Sequence, residues 1–433
     1  MTTLLIVLII LCVLLSSAII LLMINDKNTK KINFFIIFLT FLNYIPFYLL
    51  ISLIGEIYQF ESSYKFLILG LPVFLQGVWR YPVSMMIRKL KSRTSGFLIV
   101  HSIFLFFVLI VSFVKNIDAK VWLLAIAISF PGSSFGFTSQ WHLENYNLSK
   151  VFKVLSIHTA IPFFAHLLSI IINKQIPKDL PDYESILNVT IWSLSGISVL
   201  IIVLNLIFKE DKTKFHLDEK IPNNFFYKYK FKNGLILIIE LFIFMLLSAL
   251  MTSKYIIEIS SDNLFLYKLV FLSVAYIFVL LTHKYILKYL NIKTVKKVII
   301  LLLIFNNIIS LVLINLNYNS SFLSYSILFI NILLSTFYSF VLMGVAQHAD
   351  HKNPELIFAL FLSFSSAFQG LGIFIINSME LWNIKSATTL SNIVAISALV
   401  ISISYILFEQ VVCNINNKIY ATPIEYEFNI IIK

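Results

Sequence analysis

Long apolar runs, most of them about the twenty residues a helix needs to cross a bilayer, alternate with short polar segments along the whole chain. Thirteen such runs are read: 4–23, 33–54, 66–87, 95–114, 121–142, 151–173, 187–208, 234–254, 263–283, 298–316, 322–345, 356–377 and 388–408. In hydrocarbon each backbone amide must be satisfied within its own segment, so each run is expected to be an α-helix. The pattern therefore predicts an all-α integral membrane protein. Counting the first run as zero leaves twelve.

Run zero has a second reading. A cleaved signal peptide also begins with an apolar stretch, but Met1–Thr3 carries no positive charge and the lysines follow the stretch instead of preceding it. A retained transmembrane helix is the expectation.

Composition agrees with this picture. Of the 433 residues, 59% are hydrophobic and 12% charged, with a mean hydropathy of +0.91. Soluble domains carry roughly twice that charge. The net charge of +12 points to basic loops at a membrane surface, not to nucleic acid. Cys12 and Cys413 lie at opposite ends, which predicts neither a disulfide framework nor a metal site.

The positions of the positive charges predict orientation. If the loop 24–32 lies inside and the runs alternate, inside segments hold 24 Lys and Arg and outside segments seven. By the positive-inside rule the amino terminus is then outside and the carboxyl tail in the cytoplasm, in a multi-pass plasma-membrane protein.

The longest polar stretch between runs, 209–233, divides the twelve into six and six. Three short matches recur across it in order. "IRKLKSRT" at 87–94 pairs with "ILKYLNIKT" at 286–294, "HLE" at 142–144 with "HAD" at 348–350, and "IIIN" at 170–173 with "FIIN" at 374–377. Their near-constant offset places each at an equivalent point of the two halves, which predicts a parallel repeat with a site between the halves near the midplane. The predicted organisation is an extra helix and turn (1–32), one bundle (33–208), a basic loop (209–233), a second bundle (234–408) and a tail (409–433).

On these features residues 33–409 resemble the major facilitator superfamily. That family carries a signature turn between its second and third helices, built from glycine, acid, arginine, glycine and arginines. Aligned there, this chain reads "SMMIRKLKSR" from Ser84 to Arg93. Arg88 stands at the acid and Lys91 at the second glycine; Lys89 and Arg93 keep the basic character. The resemblance implies a twelve-helix, six-plus-six parallel-repeat fold in which helices one, four, seven and ten line a cavity. The missing acid departs from it, as does the low count of 11 glycines.

Polar residues inside the apolar runs are the candidate site, because charge in a bilayer is costly and faces a cavity or a partner. Gln76, Arg80 and Ser84 share one helix face by fours. Arg80 either reaches into a cavity, toward an anionic group or a gate carboxylate, or snorkels to the interface along its own stem. Glu240 lies at similar depth in the other half, as a gate partner, a proton acceptor or a structural carboxylate. His158 and His166 share a face around Pro162, about 12 Å apart by helix rise. They could relay a proton or bind solute, or simply bond between helices; they cannot share a metal. Asn43 and Asn331 fall on helices that the resemblance makes cavity-lining, and Gln369 is a further candidate. "FPGSSFGFTSQW" at 130–141 predicts either close packing at Gly132 and Gly136 or a hinge at Pro131.

No phosphate loop, nucleophile elbow or zinc signature occurs, and the loops are too short for a catalytic domain. No enzyme activity, metal or cofactor is expected. The leading expectation is a secondary transporter, moving a small polar solute by alternating access between the two six-helix halves, coupled to a proton or ion, in the lipid bilayer as a monomer. The alternatives are a scaffold, anchor or sensor on a transporter fold and, further off, a membrane enzyme or lipid-linked flippase.

Overall fold

The computed structural model describes residues 35–44, 62–144, 183–207 and 362–371 without interruption, with further positions at 47–50, 157–169, 298–312 and 359–374 and a few elsewhere. Among the described residues there is no strand. The run at 4–23, the loop at 209–233, Glu240, Asn331 and the second copies of the repeat motifs lie outside the described residues.

The helices are α1 (Phe35–Tyr44), α2 (Ser62–Leu90), α3 (Arg93–Phe113), α4 (Ile117–Gly132), α5 (Phe135–Glu144), α6 (Tyr183–Ile207) and α7 (residues 362–371). Their bounds overlap the corresponding apolar runs. Two starts are set by side-chain caps that satisfy an orphan amide of the first turn: Ser92 accepts from the Ser95 amide at 3.2 Å, and Asn116 from the Ala119 amide at 3.0 Å.

One expected span is two helices. The run at 121–142 breaks at Ser133 and Ser134, between α4 and α5, yet residues Asp118–Thr138 together remain long and apolar enough for one crossing. Pro131 stands just before the break and weakens the span there, since it has no amide hydrogen and its ring crowds the preceding turn. The Ser134 amide tightens to Pro131 O, three residues back, at 3.1 Å.

This broken span is the centre of the described half. It is 83% buried, whereas the apolar windows of α3 and α6 are each 39% buried. It packs against α2 and α3, and α6 packs on α3. Phe104, Val108, Val121, Leu124, Ile128 and Leu194 form one core cluster, and Ile87, Phe97, Val100, Phe137 and Trp141 belong to a second. The outer faces present Phe106, Leu109 and Phe113 of α3, and Trp192, Val199, Val203 and Leu206 of α6. In a chain this apolar those are lipid-facing surfaces.

The two halves of the chain meet backbone to backbone. A Cβ on Gly77 of α2 would sit 2.5 Å from Ser363 O and from the Ala367 amide nitrogen. A Cβ on Gly370 of α7 would sit 2.6 Å from the Phe74 backbone nitrogen. Ascending α2 therefore means descending α7, so the helices run antiparallel with their backbones too close for any side chain between them. Ser363, Ala367 and Gly370 supply the small surface on the α7 side.

The turn from α2 to α3 closes with the Ser92 amide on Ile87 O at 3.4 Å and the Lys91 amide on Arg88 O at 3.3 Å, a Schellman pattern. That pattern puts one residue in the left-handed region, here Lys91 with φ of 53°. Lysine thus occupies the conformation that glycine adopts without cost. The basic cluster divides here: Lys89 and Lys91 are exposed, and Arg88 and Arg93 are buried.

Two substitutions test this packing by thermal unfolding of detergent-purified protein. Gly77→Ala is expected to destabilise by about 1–3 kcal/mol through overpacking against backbone. Gly196→Ala, where nothing lies within 4 Å of the added carbon, is expected to be neutral or to gain up to about 1 kcal/mol. Lys91→Gly is expected to raise stability by about 1–2 kcal/mol, the cost of a left-handed L-residue; a loss of stability would show that Lys91 makes a contact outweighing that strain.

Candidate functional site

Arg80 leaves α2 three residues beyond Gly77, where the helices are closest. Its guanidinium ends inside the protein, 5% exposed, instead of running to a membrane face. Nη1 donates to Leu362 O of α7 at 3.0 Å and to the Ser366 hydroxyl. These two acceptors are one turn apart on α7. A serine hydroxyl at that position often bonds the carbonyl four residues back; here the arginine takes both groups. Only the close approach at Gly77 and Gly370 brings them within reach.

The rest of the shell is aromatic. Arg80 Cζ stands 5.6 Å from the centre of the Phe135 ring, within cation–π range. The Tyr44 hydroxyl lies close to the guanidinium. Tyr44 lies edge-on to Phe135 at 6.0 Å and stacks with Tyr48 at 6.0 Å. Among the described residues no carboxylate is bonded to Arg80; Glu240 lies outside them.

Both histidines join this cluster from the helical positions at 157–169. His158 meets the edge of Phe135 at 6.0 Å, and His166 stacks on Tyr48 at 4.9 Å. The shared helix face thus becomes a shared wall: Arg80, His158 and His166 surround Tyr44, Tyr48 and Phe135. Gln369 of α7 is half-buried, three residues from Ser366.

Asn43 and Gln76 have a different task. At the break the helical ladder is disturbed, and Pro131 O takes the Ser134 amide, three residues on. Asn43 Nδ2 donates to Pro131 O and to Ser134 Oγ, each at 2.5 Å, and Gln76 Nε2 donates to Gly132 O at 2.7 Å. The amides of α1 and α2 therefore fasten the kink. Gly132 fits the same contact, since a Cβ there would meet Gln76 at 3.0 Å and Phe47 at 3.1 Å.

His101 extends this network and was not among the sequence candidates. Its Nε2 is 2.9 Å from Asn43 Oδ1 and its Nδ1 is 3.0 Å from Ser198 Oγ. Asn43 Oδ1 can only accept, so Nε2 carries a hydrogen; in the neutral ring Nδ1 then accepts from Ser198. The chain from Ser198 through His101 and Asn43 to Pro131 O links α6, α3, α1 and α4. Tyr44, Phe135 and Ser366 were missed as well. The signal available for Ser366 was the small-residue stripe Ser363, Ser366, Ala367 and Gly370; the others carry no pattern that separates them from core aromatics or an ordinary apolar-run histidine.

Among the described residues no group of three or more His, Cys, Asp or Glu could hold a metal ion.

Solved structures share this architecture. The chain aligns with the MFS transporter FucP in its outward conformation at a TM-score of 0.64 and 13% identity, covering 87% of this chain and 98% of that one. The nucleoside transporter NupG, solved as a mutant, aligns at 0.63 and 13% identity, over 87% and 99%. The proton:xylose symporter XylE, bound to a bromodeoxy glucose, aligns at 0.60 and 12% identity, over 87% and 95%. No family model matches the sequence, and neither does any curated protein. The chain has the major facilitator fold and is a multi-pass membrane protein.

Coupling within the kink network is measurable. Asn43→Ala and His101→Ala are each expected to cost about 1–3 kcal/mol, because each strands a buried partner. The double variant is expected to cost less than their sum by about 0.5–3 kcal/mol in a thermal-unfolding cycle. Additive losses would mean that the two side chains act independently.

Proposed function

We propose that the protein is a secondary transporter that carries a small polar solute by alternating access between its two six-helix halves. The observation that carries this reading is the join between α2 and α7. A major facilitator fold whose halves meet at a buried arginine, with polar and aromatic groups gathered beside it, suits a site that opens to one side at a time. The printed solutes of the similar structures, fucose, xylose and nucleosides, are small and polar, and two of those proteins are named as proton symporters.

In this reading Arg80 closes one end of the pathway by holding α7, and His158 and His166 line the route beside Tyr48 and Phe135. Glu240 is the proton acceptor of the second half. Asn331 and Gln369 are solute contacts of that half, and Asn43 and Gln76 set the kink that shapes the first. The extra amino-terminal helix, the basic loop at 209–233 and the inward carboxyl tail complete the proposed topology in the plasma membrane.

The test is uptake by proteoliposomes of labelled sugars, nucleosides and organic acids, with and without an inside-alkaline pH gradient. Saturable uptake of one class, accelerated by the gradient, is expected. Glu240→Gln is expected to abolish gradient-driven accumulation while leaving exchange. Uptake no faster than in empty liposomes for every class would reject transport and leave a scaffold, anchor or sensor.

A further inference from the structure

The Arg80 guanidinium is positive at any accessible pH. Burying such a charge without a countercharge costs several kcal/mol. Among the described residues, the groups that meet it are a carbonyl, the Ser366 hydroxyl, the nearby Tyr44 hydroxyl and a ring face, all of them dipoles or quadrupoles. Its own Nε is unspent, and so are polar atoms of residues close to it or to its acceptor in sequence. Arg80 Nε, the Trp79 indole nitrogen, Ser84 Oγ and Ser363 Oγ are all buried without a hydrogen-bond partner. Ser84 is one turn beyond Arg80 on the same face of α2, and Ser363 follows Leu362, whose carbonyl Arg80 holds. Buried polar groups in native proteins are almost always satisfied, and an unsatisfied Nε on a buried guanidinium calls for an explanation.

We propose that Arg80 is the recognition point for an oxyanion, a carboxylate or phosphate group on the transported solute; this rests on the transporter reading above. Nη1 is engaged with α7, so the Nε–H edge of the fork is the part free to take a planar oxyanion side-on. The hydroxyls of Ser84 and Ser363 can donate to the remaining oxygen lone pairs. Tyr44, Tyr48 and Phe135 offer ring faces to the apolar body of the solute. The solutes printed for the similar structures, xylose, fucose and nucleosides, have no oxyanion group, so the inference separates this chain from them.

The experiment uses the full chain in nanodiscs and follows thermal stability and Kd with four probes: succinate, lactate, inorganic phosphate and uncharged glucose. Stabilisation by one or more anions and none by glucose is expected. The carboxylates against phosphate identify which oxyanion is read. Arg80→Gln is expected to weaken the preferred anion by at least about tenfold, and Arg80→Lys by less, because a point charge survives but the fork is lost. The wild-type comparison stands even where a variant does not fold. No anion effect in wild type, or an anion Kd unchanged in a folded Arg80→Gln protein, overturns the proposal. Proteoliposome uptake separates the two readings. Anion binding without uptake or exchange rejects transport and keeps the anion site; uptake of glucose that Arg80→Gln leaves unchanged keeps transport and rejects the anion site.

Discussion

A guanidinium held inside a membrane protein, among the described residues by a carbonyl, a hydroxyl and a ring face, constrains what surrounds it. Arg80 bonds to a carbonyl 282 residues away in sequence, and an arginine side chain spans that gap only because two helix backbones touch. Gly77 and Gly370 make the contact possible, and the small residues of α7 let it persist for two turns. Lipid tails give no hydrophobic push between helices, so close approach and polar bonds have to carry the association. Here they coincide within one helical turn of each other.

The kink between α4 and α5 serves the same end. A straight span would carry Phe135 in the helix register of α4. The break at Pro131 re-aims the chain, and Phe135 becomes the ring beneath Arg80 and the neighbour of His158. A kink frees carbonyls, and in a water-poor interior each must be satisfied by protein. Asn43 and Gln76 do this, with His101 and Ser198 holding Asn43 from behind. The network that looks like a polar site is thus mostly the support of one.

Much of the fold was legible because hydrophobic length is a strong signal in membrane proteins. The run at 66–87 lies inside α2, and those at 95–114 and 187–208 match α3 and α6 closely. The two-helix form of 121–142 was marked by Pro131 but not decided by it, since proline is compatible with a packed straight span when neighbours satisfy the freed carbonyls. The site was legible in parts. Arg80, His158 and His166 stood out because charge and imidazole are rare in apolar runs. Their assembly did not, because aromatic partners such as Tyr44 and Phe135 are hidden among 61 phenylalanines and tyrosines. Asn43 and Gln76 showed the opposite limit: an intramembrane amide reads alike whether it meets a solute or a backbone carbonyl. Lys91 is a third kind of case. Its alignment to a signature glycine looked like decay of the motif, yet the backbone there keeps the left-handed turn that glycine would favour.

Strength decides what the Arg80 tie can do in a protein that changes state. Breaking a buried ion pair by withdrawing one partner costs about 3–5 kcal/mol. Hydrogen bonds from a charged donor to neutral acceptors are worth about 1.5–3 kcal/mol each, and less in net terms when a new partner replaces the old. States separated by a few kcal/mol keep the minor one populated at about 0.1–10%. In the proposed transporter, a tie made of dipoles would hold α2 to α7 firmly enough to define a state and weakly enough to be exchanged. An oxyanion on the free edge of the same guanidinium would draw positive charge away from the Leu362 carbonyl and the Ser366 hydroxyl. Binding and release of the tie would then be linked through one side chain, with no carboxylate needed between the halves at this point.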